Sequence, residues 1–241
     1  MKLKLFVLAI TILAIVIFNT ARISSRNQEQ AIIELSASET KGTISYQAKL
    51  AKIQGKRKVF LPGYHVSYAN EVKSLNDALS NQGLIIGELI KKKSGVINNE
   101  YIVTWYKFKI IDNLTADLPQ CLACESRLEN EAKDMLPEGP NEILISAIGG
   151  SVKVEGVEVT MEYSGVPEFL KSQRYLLFLA TDSSGKIGVL KMGSVGVFRI
   201  DPTGLIEPVD DTPHPLRAEL IGRHNRSLDQ LKDHIQKQTR Q

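Results

Sequence analysis

The chain has 241 residues, 43% of them hydrophobic, with 30 Lys and Arg against 27 Asp and Glu and a formal charge of +3. That is apolar material for one good-sized domain with flanking segments, or for two small ones. The near-balance of charge argues against a dedicated nucleic-acid binder, which shows a strongly basic face, so no nucleic-acid partner is expected.

Lys2 and Lys4 precede an apolar run from Leu5 to Phe18 that only Thr11 interrupts. Basic, then apolar, then small and polar is the order of an export signal. Fourteen residues of helix cover about 21 Å, short of a ~30 Å hydrocarbon core, which favours a cleaved signal peptide within residues 1–21. Cutting after Ala21 places Asn19 where a small residue is preferred. A helix drawn out over residues 3–21 reaches about 28 Å, so an uncleaved membrane anchor stands as the alternative. Arg22 and Arg26 follow the run and leave the orientation signal weak. The expectation is export across the cytoplasmic membrane, to the periplasm or the exterior, free or tethered by this helix.

Residues 22–60 are polar and mixed in pattern, broken at Gly42 and Gly55, and read as a spacer with short ordered pieces. The basic cluster Lys49, Lys52, Lys56, Arg57 and Lys58 reads first as a solvated face, and second as a patch for anionic lipid or a polyanion. Regular structure is expected from residue 61. Ser74 begins a short helix, with Asp77 three residues on and Leu75 and Leu79 at helical spacing, and Gly83 stops it. A β-branched strand from Leu84 follows, with Gly87 as a bulge or bend and the run from Lys91 to Gly95 as its closing turn. From Tyr101 to Ile111 large side chains alternate on both faces of a second strand, which makes a long hairpin with the first.

Residues 112–141 interrupt the β pattern with an insertion that holds the two cysteines and a short helix bearing Leu128, Ala132 and Leu136 on one stripe. Cys121 and Cys124 sit at Cys-Leu-Ala-Cys spacing, which an oxidising compartment would close into a small disulfide ring. A thioredoxin-like pair needs the first Cys at a helix start after a strand, and Asp117-Leu-Pro-Gln precedes it here. His65, His214, His224 and His234 are scattered without metal-ligand spacing, so neither metal nor cofactor is expected.

Strands resume at Glu142 and again from Ser151 to Glu162, where a period of two slips at Gly156 as at a bulge. Tyr175 to Ala180, Lys186 to Met192 and Val195 to Ile200 read as three more, parted by turn residues. Seven short strands point to a mainly β fold, a small antiparallel barrel over residues 61–210 with a β-sandwich as alternative. A tail over residues 211–241 carries a helix at 227–238, begun by Ser227 and striped by Leu228, Leu231 and Ile235.

No phosphate loop, nucleophile elbow, zinc helix or calcium loop occurs, and no catalytic residues are assigned. Gly149-Gly150, a valine-rich strand through Gly156, Gly165-Val-Pro-Glu-Phe, Tyr175-Leu-Leu-Phe-Leu and Gly196-Val-Phe-Arg-Ile together resemble a group of uncharacterised exported bacterial proteins. Ala78-Leu79 and Ser227-Leu228 match that group's short helices, while the Cys-bearing insertion departs from it. The resemblance implies a small barrel similar to oligonucleotide/oligosaccharide-binding (OB) folds and netrin-type modules, and it implies no activity. The function expected is a non-catalytic binding or structural module of the cell envelope for a protein or glycan partner, using aromatics such as Tyr101, Tyr106 and Tyr163. A thiol-dependent enzyme using Cys121 and Cys124 is the alternative.

Overall fold

The computed structural model describes residues 24, 27–63, 73–81, 83–115, 132–162, 167–181, 188–189, 193–223 and 226–239. The chain divides into two compact units. The first is drawn from Met1–Leu61, Asn98–Glu100 and Ser151–Thr160, and the second from Pro62–Ile97, Tyr101–Gly150 and Met161–Gln241.

In the first unit, residues 27–38 form helix α1 and Ile44–Ile53 form α2. Thr43 caps α2 by accepting from the Tyr46 amide. The next free donors of this helix end go to Asn99: its carbonyl takes the Ile44 amide at 2.8 Å, and its Oδ1 takes the Ser45 amide at 2.9 Å and hydroxyl at 2.8 Å. Ile44, Tyr46, Ala48 and Ala51 bury one stripe of α2. Strands β1 (Lys58–Leu61), β5 (Gly150–Val154) and β6 (Val157–Met161) make a three-stranded sheet in the order β1-β6-β5. Glu155 and Gly156, at φ 51° and 84°, join β5 to β6 as a two-residue hairpin turn. Gly156 therefore separates two strands, where a bulge in one strand is expected from the sequence.

The second unit begins with α3 (Leu75–Asn81), capped as expected by Ser74, whose Oγ accepts from the Asp77 amide at 3.1 Å. Strands β2 (Gly83–Ile97), β3 (Tyr101–Asn113), β4 (Glu142–Ile148), β7 (Arg174–Thr181), β8 (Gly188–Val189), β9 (Val197–Ile200) and β10 (Ile206–Pro208) form a seven-stranded sheet in the order β10-β9-β7-β2-β3-β4-β8. The pairings are antiparallel except for a single parallel bridge from Ile145 of β4 to Gly188 of β8. Register shifts at Ile86/Gly87 and Leu89/Lys91 bend β2, the first where Gly87 predicts it. Lys91 to Gly95 do not turn. The strand runs on to Ile97 because Asn98 and Asn99, both left-handed at φ 52° and 57°, make the turn instead.

The fold is mainly β with two sheets and a few short helices, and against the small antiparallel barrel expected over residues 61–210 the described strands form no fully closed barrel. The two-residue β8 links β4 to β7 by only one bridge on one side and two on the other, a join too short to make a continuous barrel wall. Helices α4 (Pro215–Arg223) and α5 (Leu228–Thr239) end the chain. One face of the large sheet buries Leu84, Ile86, Leu176, Phe178, Phe198 and Ile200 under α3, α4 and α5, which contribute Leu75, Leu216, Leu220, Leu231 and Ile235. The other face buries Ile85, Leu89, Phe108, Tyr175 and Leu177 around Phe169.

Among the described residues no helix is long and apolar enough to cross a membrane, and none of those residues forms a disulfide. The expectation of a transmembrane helix and of a Cys121–Cys124 disulfide is corrected to that extent: the described residues hold neither, and nothing in them supports the signal or secretion reading. Described helices carry a polar face, as α1 does with Gln28, Glu29 and Glu34, whereas a span needs apolar residues all round. Residues 1–21, both cysteines and Tyr163 lie outside the described residues.

Two polar constraints hold the second unit. Gly150, at φ +124°, starts β5 where any Cβ would collide with Thr104 Oγ1, a hydroxyl that donates to the Gly149 carbonyl at 2.6 Å and meets Ser94 Oγ at 2.8 Å. Arg217 of α4 is buried and donates to the carbonyls of Ser194, Val195, Asp210 and Thr212 and to Asp210 Oδ1 at 2.6 Å. Burial pushes the Asp210 carboxyl up, but hydrogen bonds from Arg217, Ser194 and Thr212 outweigh it and hold it well below the usual range.

Gly150→Ala should lower unfolding stability by about 2 kcal/mol or more in urea denaturation, because it adds backbone strain and clashes with the hydroxyls of Thr104 and Ser94. Arg217→Met should cost about 3 kcal/mol by leaving a half-buried carboxylate and four carbonyls without their donor. A depressed carboxylate stabilises above its ordinary value of 3.8 and loses that contribution as pH falls through its folded value. Wild-type stability should therefore decline below about pH 5, and Asp210→Asn should flatten the decline.

Candidate functional site

Alternation along the short strands of the first unit sorts their side chains. On β6, Val157, Val159 and Met161 are buried while Glu158 and Thr160 are half-buried, so the latter two share the outward face. Lys58 Nζ of β1 pairs with Glu158 Oε2 at 2.8 Å, and Ser151 Oγ of β5 meets Thr160 Oγ1 at 2.8 Å. These two contacts place the exposed residues of the edge strands on that same face: Lys58 and Phe60 from β1, and Ser151 and Lys153 from β5. Phe60 is 72% exposed, the largest value among the exposed large hydrophobic residues. The two-residue turn at Glu155-Gly156 sets Lys153 opposite Glu158.

An open groove of about 510 Å³ follows this face, lined by Arg57, Lys58, Ser151, Val152, Lys153, Gly156 and Glu158. Three of those side chains are cationic against one carboxylate, and that carboxylate is already taken by Lys58. Arg57 and Lys153 are exposed, and their side chains enter no hydrogen bond or ion pair among the described residues. Of the other cations of the cluster, Lys49 pairs with Glu39 and Lys52 with Glu155 at 3.6 Å, while Lys56 is exposed and does not line the groove.

A second charged cluster lies in the second unit and is internally balanced. Lys91 and Lys93 of β2 clamp the two oxygens of Asp134 at 2.7 Å each. Lys107 of β3, buried, sits between Glu138 and Glu142 at 2.9 Å from each. Burial lowers the Lys107 ammonium, but its hydrogen bonds to Glu142 and Glu138 prevail and raise it above the ordinary value. Hydrogen bonds from Lys91 and Lys93 hold Asp134 far below the carboxylate range. Each ion has its counter-ion, so this cluster fastens residues 133–142 and leaves nothing for a ligand.

The aromatics expected on a binding face are placed otherwise. Tyr106 is buried, packed edge-to-face on Phe169 at 4.8 Å, and its hydroxyl is pushed up to about 12 first by burial and then by Glu168. Tyr101 is half-buried at the start of β3. Among the described residues Phe60 is the exposed aromatic instead. The alternation Lys-Val-Phe-Leu is its signal in the sequence, hidden by the polar residues around it. No group of three or more His, Cys, Asp or Glu able to hold a metal occurs among the described residues.

Comparison of the chain with known protein families, curated proteins and solved structures finds no match.

Glu158→Gln should free Lys58 and leave the groove with three uncompensated cations. Elution from a sulfonate column should then come later than for Glu168→Gln, an equal change of net charge placed outside the groove. Equal retention of the two variants would count against a locally cationic groove.

Proposed function

We propose that the protein is a non-catalytic binding module for a protein or glycan partner, and that the outward face of the three-stranded sheet is where the partner lies. The observation that carries this reading is the groove itself, an open channel lined by a guanidinium and an ammonium, Arg57 and Lys153, that the fold leaves uncompensated. An exposed cation that stabilises nothing internally is available to a partner. The carboxylates whose titration is displaced downward support the non-catalytic side of the reading: Asp134 is bound by Lys91 and Lys93, Glu142 by the Glu138 amide and Lys107, Asp210 by Arg217, and Asp201 by the hydroxyl and amides of its own turn. They are structural anchors by their contacts.

For the second unit we propose an OB-like, partly open barrel. What supports it is the circuit of pairings β2–β3–β4–β8–β7–β2, in which each of five strands finds two neighbours.

The full-length chain, immobilised, should retain material saturably from a cell extract separated into polysaccharide and protein fractions. Arg57→Glu with Lys153→Glu should weaken that retention about ten-fold or more, the loss of at least one charge-assisted contact, with an unchanged melting temperature. Undiminished retention by the double variant, or no saturable retention by the wild type, rejects the reading.

A further inference from the structure

The occupant that this face fits can be narrowed by its geometry, granted that it is a binding face. We propose that it takes an acidic glycan, a polysaccharide chain carrying carboxylate or sulfate groups, laid across β1, β6 and β5. The cations are spread: Lys58 and Lys153 stand on the two edge strands with β6 between them, so their backbones are about 10 Å apart. One small anion cannot bridge that separation, whereas a polymer with repeated charges meets both ends of it. Arg57 supplies a planar fork suited to bidentate contact with a carboxylate or sulfate, and Lys153 supplies a point charge.

Between Lys58 and Lys153 stands Glu158 of β6, held by Lys58 at 2.8 Å, and one row further along the face the Ser151–Thr160 hydroxyl pair crosses β5 and β6. Both hydroxyls can turn to give or take hydrogen bonds with sugar hydroxyls. Phe60, on the same face as Lys58 and 72% exposed, offers a flat apolar ring on which the C–H face of a sugar can rest. A membrane surface is the poorer fit. Insertion needs a continuous apolar face, and here one aromatic ring stands among Lys58, Glu158, Thr160, Ser151 and Lys153.

The test titrates the full-length chain with four probes: a size-defined oligogalacturonate, a sulfated octasaccharide, a neutral cello-oligosaccharide, and vesicles of phosphatidylglycerol. Saturable binding to one or both acidic saccharides is expected, with the first two probes separating carboxylate from sulfate as the anion recognised. Arg57→Ser with Lys153→Ser should weaken it about ten-fold, Phe60→Ala several-fold, and raising salt from 0.05 to 0.5 M should weaken it as charge screening requires. Amide hydrogen exchange in the wild type should slow along β5 and β6 when the saccharide is bound, which reads the site without any variant. Equal affinity for the neutral saccharide, unchanged affinity of the variants, binding of vesicles in place of saccharides, or no binding of either acidic saccharide overturns the inference. A chain that ignores both acidic saccharides yet retains a protein fraction through Arg57 and Lys153 overturns the glycan assignment and leaves the binding-module reading standing.

Discussion

A strand that is apolar on both faces has to be covered twice, and β2 and β7 impose that demand on the second unit. Leu84 and Ile86 point one way and Ile85 the other; Leu176 and Phe178 oppose Tyr175, Leu177 and Leu179 in the same manner. Burying a side chain of this size contributes about 1.5–3 kcal/mol, so neither face can be left to water. On one side the answer is α3, α4 and α5. On the other, Phe169 sits between the rings of Tyr106, Phe108 and Tyr175, with centroids 4.8–5.1 Å away. Arg217 belongs to the same requirement, because covering the first face draws the carbonyls of Ser194, Val195, Asp210 and Thr212 in with it, and one guanidinium answers them all.

Charge is distributed by the same logic of compensation. Where an ion is buried, as Lys107 and Arg217 are, carboxylates and carbonyls surround it. Arg57 and Lys153 break that rule at the surface, at low desolvation cost and without internal return. Exposed Lys41, Lys56 and Lys109 likewise enter no ion pair among the described residues, so what marks the groove is that two such cations line one open channel.

Much of the large sheet was legible in the residues, and the failures are instructive. Ser74 as a cap, Gly87 as a bend and the stripe Leu228, Leu231, Ile235 all act as their types and spacing require. The lysine run from Lys91 to Lys93 mimics a strand end, yet Lys91 and Lys93 share a face and meet Asp134, some 40 residues on, a partner no local window can see. Asn98-Asn99 was the overlooked turn signal, since asparagine tolerates the left-handed region. Helix α2 was hidden because its amphipathic stripe is built from two alanines, a tyrosine and one isoleucine. The groove was half visible. Arg57 and Lys58 stand out as charge, but Ser151 and Lys153 join them only through pairing across about a hundred residues of chain.

That distance has a bearing on how the protein comes into being on the ribosome. The Arg57 carbonyl finds its partner in the amide of Glu158, and the donors that open α2 find theirs in Asn99. The first unit is thus spelled out early but cannot be assembled until its last strand has been made, while the hairpin of β2 and β3 closes over a turn of a few residues. During that interval the exposed backbone of β1 lacks its neighbour, and Lys56, Arg57 and Lys58, whose charges repel a second copy of the same nascent strand, serve as its protection against wrong pairing.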